Sequence, residues 1–410
     1  MKMYCLSIAM YFSVLFSQFS TNNLNGFGSH VDPVSTFSES MGNMWMNNSN
    51  KGNWDPLLAS SIYKTDLTMI AVSSSLGGNK TKAYNSNNYD INFINFSFPI
   101  RKNMGMGIGF SPYTRGNYIF KEDSLIIDGT EFSNPLLSHS SHVFEGGISK
   151  LSISLSKGIA FKSSMISAGF KWNVLFGNQK INSTTVLNEV SYDQQGNETL
   201  KFFETVFNDQ YNHFKAYSYE TDLRIKSSSN SLSFLITLMD NFEVDRDEAN
   251  QLFSVSKKYL FNEIYLDRIG IGYMYNKNDN FGIAFEGQFK NSIDYPKEIM
   301  FFNHAYPSKI SFHNGIYKRF ENLKSGFWNS VNLSAGYRYK IIKFINKDLN
   351  DISFSLGAGI AFNESKNNID VAFTIGSSQN IVETINSDTY YKLSVGIFSG
   401  DKWFKKRRRE

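Results

Sequence analysis

Residues 351–362 read DISFSLGAGIAF, and this stretch decides the fold class. Every second residue from Ile352 to Phe362 is apolar, whereas the residues between them are Ser, Gly or Ala. Strict alternation with a period of two is typical of a β-strand with one apolar face. The other face carries almost no side chain of any size, so the pattern raises the question of what lies against each face.

The composition narrows the class of protein. Of the 410 residues, 41% are hydrophobic, 16% are aromatic and 19% are charged, with 29 Gly and 7 Pro, which is unusual for a cytosolic enzyme. The single cysteine, Cys5, lies in the N-terminal segment and leaves the mature chain without a disulfide framework, zinc cluster or catalytic thiol. The last ten residues carry six basic and two acidic groups, which equals the formal net charge of +4 of the whole chain. The remainder is near neutral, so nucleic-acid binding is not supported.

Residues 1–20 are predicted to be a signal peptide. Lys2 precedes an apolar run from Met3 to Phe16, and polar residues follow it. No clean cleavage motif is present, so cleavage is placed loosely between Ser17 and Asn22, and a buried N-terminal helix is the alternative. After residue 20 there is no run of 18 apolar residues. An exported chain of this kind is either soluble or a closed barrel, because only helices and closed barrels satisfy the backbone in lipid.

The alternating pattern occurs in fourteen segments of about 9–13 residues, which suits strands that cross a bilayer. Short gaps between segments alternate with long polar gaps at 76–88, 114–142, 176–212, 240–266 and 291–308, which are predicted to be outer loops. An even strand number and this alternation of turns favour an outer-membrane barrel over a secreted β-sandwich. The predicted strands lie near residues 66–75, 89–99, 104–113, 143–155, 163–175, 213–225, 231–239, 267–275, 281–290, 309–319, 330–340, 351–361, 368–376 and 389–398.

In such a barrel the apolar face of residues 352–362 contacts lipid, and the Ser, Gly and Ala face lines the interior. Aromatic residues near strand ends suit the girdles at the two membrane surfaces; they are Trp172, Tyr273, Tyr275, Tyr339 and Tyr391. The predicted fold class is therefore all-β, an antiparallel transmembrane β-barrel of 14 strands in the outer membrane, with membrane lipids around it.

Short motifs run along most of the chain: GFG at 26–28, SESMGN at 38–43, NWDPLLASSIYKTDLTMIAVSSS at 53–75, FPIRKNMGMGIGFSPYTRGNY at 98–118, EGGISKLSISLSKGI at 145–159, WNVLFG at 172–177 and GDKWFKKRRRE at 400–410. In these motifs the chain resembles the FadL-type family, outer-membrane transporters of long-chain fatty acids and other hydrophobic compounds. Asp55, Pro56 and Ala59 are similar to the Asn-Pro-Ala-type element before the family's first strand, with Asp in place of Asn and Leu in place of Ala.

The resemblance implies that an N-terminal plug segment lies in the lumen of the barrel. The predicted divisions are a signal peptide at 1–20, a plug at 21–62, the barrel at 63–400 and a basic periplasmic tail at 401–410. The plug is rich in Met and aromatic residues, which accept irregular apolar ligands. Its candidate ligand-binding residues are Phe27, Met44, Trp45 and Trp54. The alternative is that these residues only pack the plug against the wall.

Ten charged residues are predicted to face the lumen: Lys171, Glu220, Asp222, Arg224, Arg268, Glu286, Lys290, Arg338, Lys340 and Lys392. Among them Arg338 and Lys340 are candidates to hold a carboxylate head group, as Arg does by bidentate pairing. The alternative is ion pairing between wall and plug. His139 and His142 stand alone in a predicted outer loop and make a poor metal site, so no metal and no cofactor are expected. The Gly-x-Gly runs lie within predicted strands and do not form a phosphate loop.

The predicted function is transport of hydrophobic small molecules, such as long-chain fatty acids, by a monomeric plugged barrel that is not an enzyme. The first alternative is a PorV-like barrel that serves protein secretion or surface attachment together with secretion-system partners. The second is an outer-membrane enzyme that acts on lipids, for which a Ser and a His facing lipid at one height would be needed; the sequence shows no such pair.

Overall fold

The structure, a computed structural model, describes residues 29–46, 55–80, 85–116, 118–127, 136–192, 198–250, 252, 254–261, 263–277, 280–291, 308–321, 328–343, 348–362, 367–380 and 388–401. The predicted signal peptide and nearly all of the basic tail lie outside these ranges. Within them, no helix is long and apolar enough to cross a membrane.

The described residues form two short helices and eighteen strands. The α-helix α1 spans Thr36–Ser40, and a 3₁₀ helix spans Ala59–Lys64. The strands are β1 Ser29–His30, β2 Thr68–Lys80, β3 Asn85–Arg101, β4 Met104–Pro112, β5 Thr114–Arg115, β6 Tyr118–Ile127, β7 Leu136–Phe161, β8 Ser164–Tyr192, β9 Glu198–Lys226, β10 Asn230–Asn250, β11 Ser254–Phe261, β12 Tyr265–Lys277, β13 Phe281–Lys290, β14 Ser308–Glu321, β15 Trp328–Lys343, β16 Asp348–Phe362, β17 Asn367–Asn380 and β18 Asp388–Asp401.

Fourteen of these strands close into an antiparallel ring. The order is β2, β3, β4, β7, β8, β9, β10, β12, β13, β14, β15, β16, β17 and β18, and β18 pairs with β2 to complete the circle. Each of the fourteen predicted strands corresponds to one strand of the ring, so the predicted 14-stranded barrel is confirmed. The turns that join β3 to β4, β7 to β8 and β9 to β10 are short and lie at one end, which we call the short-turn end.

The two faces of each strand differ as the sequence predicts. In β16, Phe354 and Leu356 are 58% and 63% exposed on the outside, whereas Ser353 is 1% exposed on the inside. The same alternation continues around the ring and gives the barrel an apolar belt. Its members include Val72, Ile94, Ile108, Leu155, Phe170, Trp172, Leu223, Ile236, Ile271, Tyr273, Tyr275, Phe285, Phe312, Leu333, Val371, Phe373, Tyr391 and Val395.

The prediction of long outer loops at 76–88, 114–142, 176–212 and 240–266 is wrong, because most of these residues are strand. The predicted loop at 291–308 lies almost wholly outside the described residues. β8 and β9 have 29 residues each, well beyond the 9–11 that a tilted strand needs to cross a bilayer. Above the apolar belt both faces of these strands meet water. The alternation of apolar and polar residues therefore ends there, although the backbone pairing of the strands continues. The result is a tall wall at the end opposite the short turns, formed by the upper parts of β7–β10 together with β6 and β11.

The tall wall is held by polar contacts between neighbouring strands. Lys258 of β11 forms an ion pair with Glu243 of β10; the Lys258 side chain is about half exposed and that of Glu243 is partly exposed. The hydrogen bond from Lys258 lowers the pKa of the Glu243 carboxyl below its ordinary value. Ser140 of β7 and Thr185 of β8 bring their hydroxyl oxygens within 2.9 Å of each other. These polar pairs are what strands need where no lipid covers them.

The wall of the ring is interrupted at β4. β4 pairs with β3 and β7, but the chain then turns inward as β5, which pairs with β1, and returns as β6, which pairs with β7. In the described part of the chain, β3 from Asn85 to Phe93 pairs with β2 and has no strand partner on its other side. We call this interval between β3 and β6 the wall break. Gly146 of β7, with φ +100°, lies at the bend and accepts a hydrogen bond from Gly116 N at 2.8 Å.

Two N-terminal segments, 29–46 and 55–64, lie inside the ring, as predicted for a plug. Helix α1 begins after Ser35, whose Oγ accepts a hydrogen bond from Ser38 N at 3.1 Å. It ends before Gly42 and Asn43, which both have positive φ. The predicted plug boundaries at residues 21 and 62 stay predictions.

Candidate functional site

The backbone of the plug lies directly on glycines of the inner face. A Cβ on Gly336 of β15 would overlap Gly42 N and Met41 C, and one on Gly357 of β16 would overlap the Ser40 side chain. On the other side of the lumen, a Cβ on Gly169 of β8 would overlap Ser60 N. The small residues of strands such as 351–362 therefore make room for the plug, which answers the question that the sequence raised.

Carboxylates at the lumen hold the first plug segment. Glu286 of β13 accepts hydrogen bonds from Trp45 N at 2.9 and 3.1 Å and from Met46 N at 2.8 Å. Conversely, a carboxylate of the plug binds the wall: Glu39 of α1 accepts hydrogen bonds from Lys392 Nζ at 3.1 Å and from Ser394 Oγ at 2.7 Å, both on β18. Each buried charge is thus hydrogen-bonded, as burial in a barrel interior requires.

The second plug segment is held by β8 and β9. Lys171 Nζ donates to Leu57 O at 2.6 Å and lies 2.5 Å from Glu220 Oε1. Ser60 N donates to Asp222 Oδ2 at 2.7 Å.

The residues that resemble the family's plug element shape the start of this segment. Asp55 Oδ1 accepts from Leu57 N at 2.8 Å, which closes an Asx turn. Pro56 is buried beside it, and Ala59 begins the 3₁₀ helix against Gly169. Asp does here what Asn does equally well, so its replacement of Asn preserves the turn.

The first residues of the plug are attached to the inward bend of the wall. Val31 N donates to Tyr113 O at 2.9 Å, next to the pairing of β1 with β5. Asp32 Oδ1 lies 2.6 Å from an Arg268 nitrogen, and the Arg268 guanidinium lies 3.9 Å from the ring centroid of Trp45. Trp45 is therefore engaged by a cation and by the plug itself, since its Nε1 donates to Pro33 O at 2.8 Å.

A polar cavity of about 240 Å³ lies on the tall-wall side of α1. Arg338 donates to Asp351 Oδ1 at 3.0 Å and to Tyr390 Oη at 2.7 Å, and Lys340 lies 3.4 Å from Asp351 Oδ2. Other lining residues come from the plug and from β2, β3, β17 and β18, and they include His30, Asp32, Glu39, Asn43, Ser75, Asn88, Asp90, Asn92, Thr374 and Lys392.

The cavity reaches the wall break. Asp90, one of its lining residues, belongs to the part of β3 that lacks a partner in the described chain on the β6 side. Arg115 of β5 bridges the break, with Nε 3.2 Å from Asp90 Oδ1 and a second nitrogen 3.4 Å from Ile91 O. Among the side chains that the structure describes at the break, this partly exposed ion pair lies between the cavity and the outside of the barrel.

The structure separates the predicted ligand-binding residues. Arg338 and Lys340 meet at the cavity, whereas Met44 is fully buried with Phe37 and Tyr317 in a packed cluster. Phe27 and Trp54 lie outside the described residues. Sequence reasoning missed Asp351 and Tyr390, although Asp351 opens the quoted strand and has the same parity as the inward Ser353, which was the available signal.

Several inward charges form ion pairs. Lys392 pairs with Glu39, which is the wall-to-plug pairing of the alternative, whereas Lys171 with Glu220 and Arg338 with Asp351 are pairs within the wall. His139 and His142 lie in strand β7 rather than in the predicted loop. Among the described residues, no three His, Cys, Asp or Glu side chains are grouped so that they could hold a metal ion.

The fold is shared with solved structures of FadL-type barrels. The CymD monoaromatic hydrocarbon channel is 10% identical, with 91% of this chain and 98% of that chain covered and a TM-score of 0.53. A FadL homologue from Pseudomonas aeruginosa is 10% identical, with 90% and 99% covered and a TM-score of 0.55. A TodX deltaS2S3 mutant monoaromatic hydrocarbon channel is 11% identical, with 92% and 100% covered and a TM-score of 0.54. At such identities the likeness shows the fold, which confirms the FadL-type architecture.

No curated protein matches the chain. The family model BamG matches residues 2–410, which is all of the sequence except the first residue. The chain belongs to the BamG family.

Proposed function

We propose that this protein is an outer-membrane barrel that gives small hydrophobic solutes a path from the outside into the membrane. The apolar belt supports a membrane location, and the short turns then face the periplasm while the tall wall faces outward. Structural neighbours described as monoaromatic hydrocarbon channels support the class of solute. The observation that carries the proposal is the wall break beside the polar cavity.

The path that we propose begins at the tall-wall end, enters the cavity above α1 and leaves sideways between β3 and β6. Neither step displaces the plug, which forms the floor of the cavity. Asp351 pairs with both Arg338 and Lys340, and the cavity lining as a whole places the four carboxylates of Asp32, Glu39, Asp90 and Asp351 with the three cations Arg338, Lys340 and Lys392. The positive charge available to a carboxylate head group is therefore already offset. We therefore propose uncharged hydrophobic solutes as the preferred class and long-chain fatty acids as the poorer one.

Closing the wall break tests this path. In a Cys5→Ser background, Asp90→Cys and Arg115→Cys are combined and joined by a short bismaleimide. The control pair, Ser140→Cys with Thr185→Cys, joins β7 to β8 in the tall wall and receives the same reagent. Uptake of labelled toluene and of a labelled long-chain fatty acid is measured in cells before and after the reaction.

We expect the reagent to reduce toluene uptake at least about tenfold in the Asp90/Arg115 variant, because the cross-link closes the wall break. This loss corresponds to about 1.4 kcal/mol on the barrier. Uptake by the control pair should stay unchanged. Fatty-acid uptake should be slower than toluene uptake in the unreacted protein. Equal toluene uptake before and after reaction of the Asp90/Arg115 pair would exclude the sideways path.

A second candidate is the secretion or surface-attachment role. It is favoured by the way in which the plug fills the lumen, where buried charges at Glu286, Glu39 and Lys171 hold it. The cavity itself is lined by charged residues such as Asp351, Arg338 and Lys392. In that case the unreacted protein takes up neither probe, and depletion of the protein from cells reduces the amount of surface-exposed proteins. The bridged Asp90/Arg115 variant would then restore those proteins fully.

A further inference from the structure

A second cavity, of about 660 Å³, opens at the short-turn end of the ring, and we call it the short-turn cavity. It is bounded by the last residues of the plug, the turn between β3 and β4, the start of β8 and the end of β9. A cavity of this volume is in the range of binding sites for small molecules. Its lining residues are Tyr63, Lys64, Thr65, Asp66, Pro99, Arg101, Lys102, Asn103, Met165 and Lys226.

The lining of the short-turn cavity is basic. Among its described residues, the cations are Lys64, Arg101, Lys102 and Lys226, and the carboxylate is Asp66. Four cations and one carboxylate leave a net charge of +3. Lys64 belongs to the plug and the other cations belong to two separate parts of the wall, so the charges surround the cavity. Cations gathered around a cleft attract and concentrate anions.

The polar cavity above α1 has the opposite balance of charge. Its lining holds four carboxylates and three cations, which does not favour an anion. The two cavities also have no lining residue in common. The preference for an anion is therefore a property of the short-turn cavity, and it does not depend on what passes through the barrel.

The rim of the short-turn cavity lies next to the membrane surface. Arg101 and Lys102 are both exposed at the turn between β3 and β4. Ile100, directly before them, is exposed on the outer face and belongs to the apolar belt. An anion can therefore reach the rim from the water or from the head groups of the adjacent lipid leaflet.

The basic tail of the chain is not the occupant of this cavity. β18 ends at Asp401, which lies opposite Thr68, two residues after Asp66 of the lining. Residues 402–410, which follow, carry six basic groups and one acidic group. Their charge has the same sign as that of the lining, so the cavity repels them.

We propose that the short-turn cavity binds an organic phosphate. A phosphomonoester carries a charge of about −1.5 to −2 at neutral pH, which suits a lining of +3 better than a single carboxylate does. Arg pairs with phosphate through two parallel hydrogen bonds, and Lys binds it as a point charge. Pro99 and Met165 give the lining an apolar part for the organic group. The phosphate belongs either to a soluble compound or to a lipid head group.

The test measures binding of phenyl phosphate to the protein in phosphatidylcholine nanodiscs by isothermal titration calorimetry. Benzoate, which has the same ring and one negative charge, is the ligand control. Arg101→Gln with Lys102→Gln removes two cations from the lining. Lys162→Gln with Lys277→Gln removes two exposed cations from other short turns outside the lining and is the matched control. Arg101→Lys with Lys102→Arg keeps the charge, and gel mobility with heating shows that each variant is folded.

We expect phenyl phosphate to bind saturably and at least about tenfold more tightly than benzoate, because its second negative charge also meets the cations of the lining. Arg101→Gln with Lys102→Gln should weaken this binding at least about tenfold, because both charges lie within the site. The control pair should change it by less than about threefold, since charges beyond about 10 Å are screened by salt. The charge-keeping pair should also bind within about threefold of the parent, because Lys and Arg both bind phosphate.

A second titration, in nanodiscs that contain phosphatidic acid, identifies the source of the phosphate. Loss of phenyl phosphate binding in these nanodiscs would assign the site to a lipid head group, and unchanged binding would assign it to a soluble compound. Three results would each overturn the proposal: no saturable binding of phenyl phosphate, equal affinity for benzoate, or equal weakening by the two Gln pairs.

Discussion

Single glycines decide how closely the plug and the wall approach each other. The alternation of DISFSLGAGIAF predicts which face of β16 points inward, and its small residues indicate that this face has little to pack. The sequence does not indicate what replaces the missing side chains, because the contact is made by the plug helix, where Ser40 lies against Gly357 from more than 300 positions away. Only the folded chain brings Gly336 beneath Gly42.

Gly336→Val should loosen the plug, because its side chain would overlap Gly42 N and Met41 C. Overpacking of this kind costs about 1–3 kcal/mol, so we expect the free energy of unfolding to fall by that amount. The measurement is urea unfolding of the refolded barrel, followed by its gel mobility. Gly287→Val is the matched control, since no atom lies within 4 Å of its Cβ position. Equal stability of the two variants would show that the plug does not press on β15.

The alternation predicts on which face of the wall a charged residue lies, but it does not predict the partner with which that residue pairs. The period of two correctly places Arg338 and Lys340 on the inward face of β15, and Asp351 belongs to the inward set of β16 by the same rule. Their pairing depends on the register between β15 and β16, in which Lys340 lies opposite Asp351. Register is set by the whole ring, so no local reading of the sequence gives it.

Strand length is the property of the elements that the sequence describes least well. Alternation depends on one face meeting an apolar phase and the other meeting the lumen, and it disappears where both faces meet water. The sequence therefore predicts that β8 ends near residue 175 and that β9 begins near residue 213. In the structure their pairing extends to Tyr192 and Glu198. Predicted strand centres were accurate for all fourteen ring strands because each centre lies in the belt.

Shortening the β8–β9 hairpin should leave the barrel intact. Residues 184–207 are removed and Ser183 is joined to its partner Asn208 through Asn-Gly, which forms a tight hairpin turn. We expect the barrel to refold with a thermal midpoint within about 5 °C of the parent, since the removed part lies above the belt. Gel mobility with heating measures this. Deleting Leu155 and Ser156 from the belt of β7 is the control, which should refold poorly; equal failure of both variants would mean that the tall wall is needed for the ring.

At the scale of the whole molecule, the ring and the plug form one body. The two plug segments contact β4, β7, β8, β9 and β15–β18, and buried charges anchor both of them. The sequence, through its resemblance to the FadL type, predicted that a plug exists and that it lies in the lumen. Neither the alternation nor the resemblance decides whether a solute passes by a shift of the plug or by an opening of the wall, and the wall break is the feature on which we propose the second.

Fixing the plug to the wall should not slow uptake. Ser40 Oγ and Ser334 Oγ lie 2.5 Å apart, so Ser40→Cys with Ser334→Cys places two thiols within reach of a disulfide. In a Cys5→Ser background we expect toluene uptake by the oxidised and reduced forms to agree within about twofold, because the proposed path leaves the plug in place. A plug that had to move would raise the barrier, and each tenfold loss of uptake would correspond to about 1.4 kcal/mol.

The control pair for this lock is Ser355→Cys with Thr374→Cys, whose hydroxyl oxygens are 3.0 Å apart on β16 and β17 and which leaves the plug untied. Loss of uptake on oxidation of the Ser40/Ser334 pair alone, with recovery after reduction, would show that the plug must move.

Helix α1 also has a consequence for how the ring closes. Thr36 Oγ1 lies 3.0 Å from Ser73 Oγ on β2, and Glu39 accepts a hydrogen bond from Ser394 on β18. These are the first and last strands of the ring, so the helix spans the seam at which the sheet joins itself. The plug precedes every ring strand in the chain, and once the seam has formed it would have to be threaded into a closed cylinder. We therefore infer that the N-terminal segment takes its place while the sheet is still open, and that helix α1 then gives β2 and β18 a common surface on which to pair.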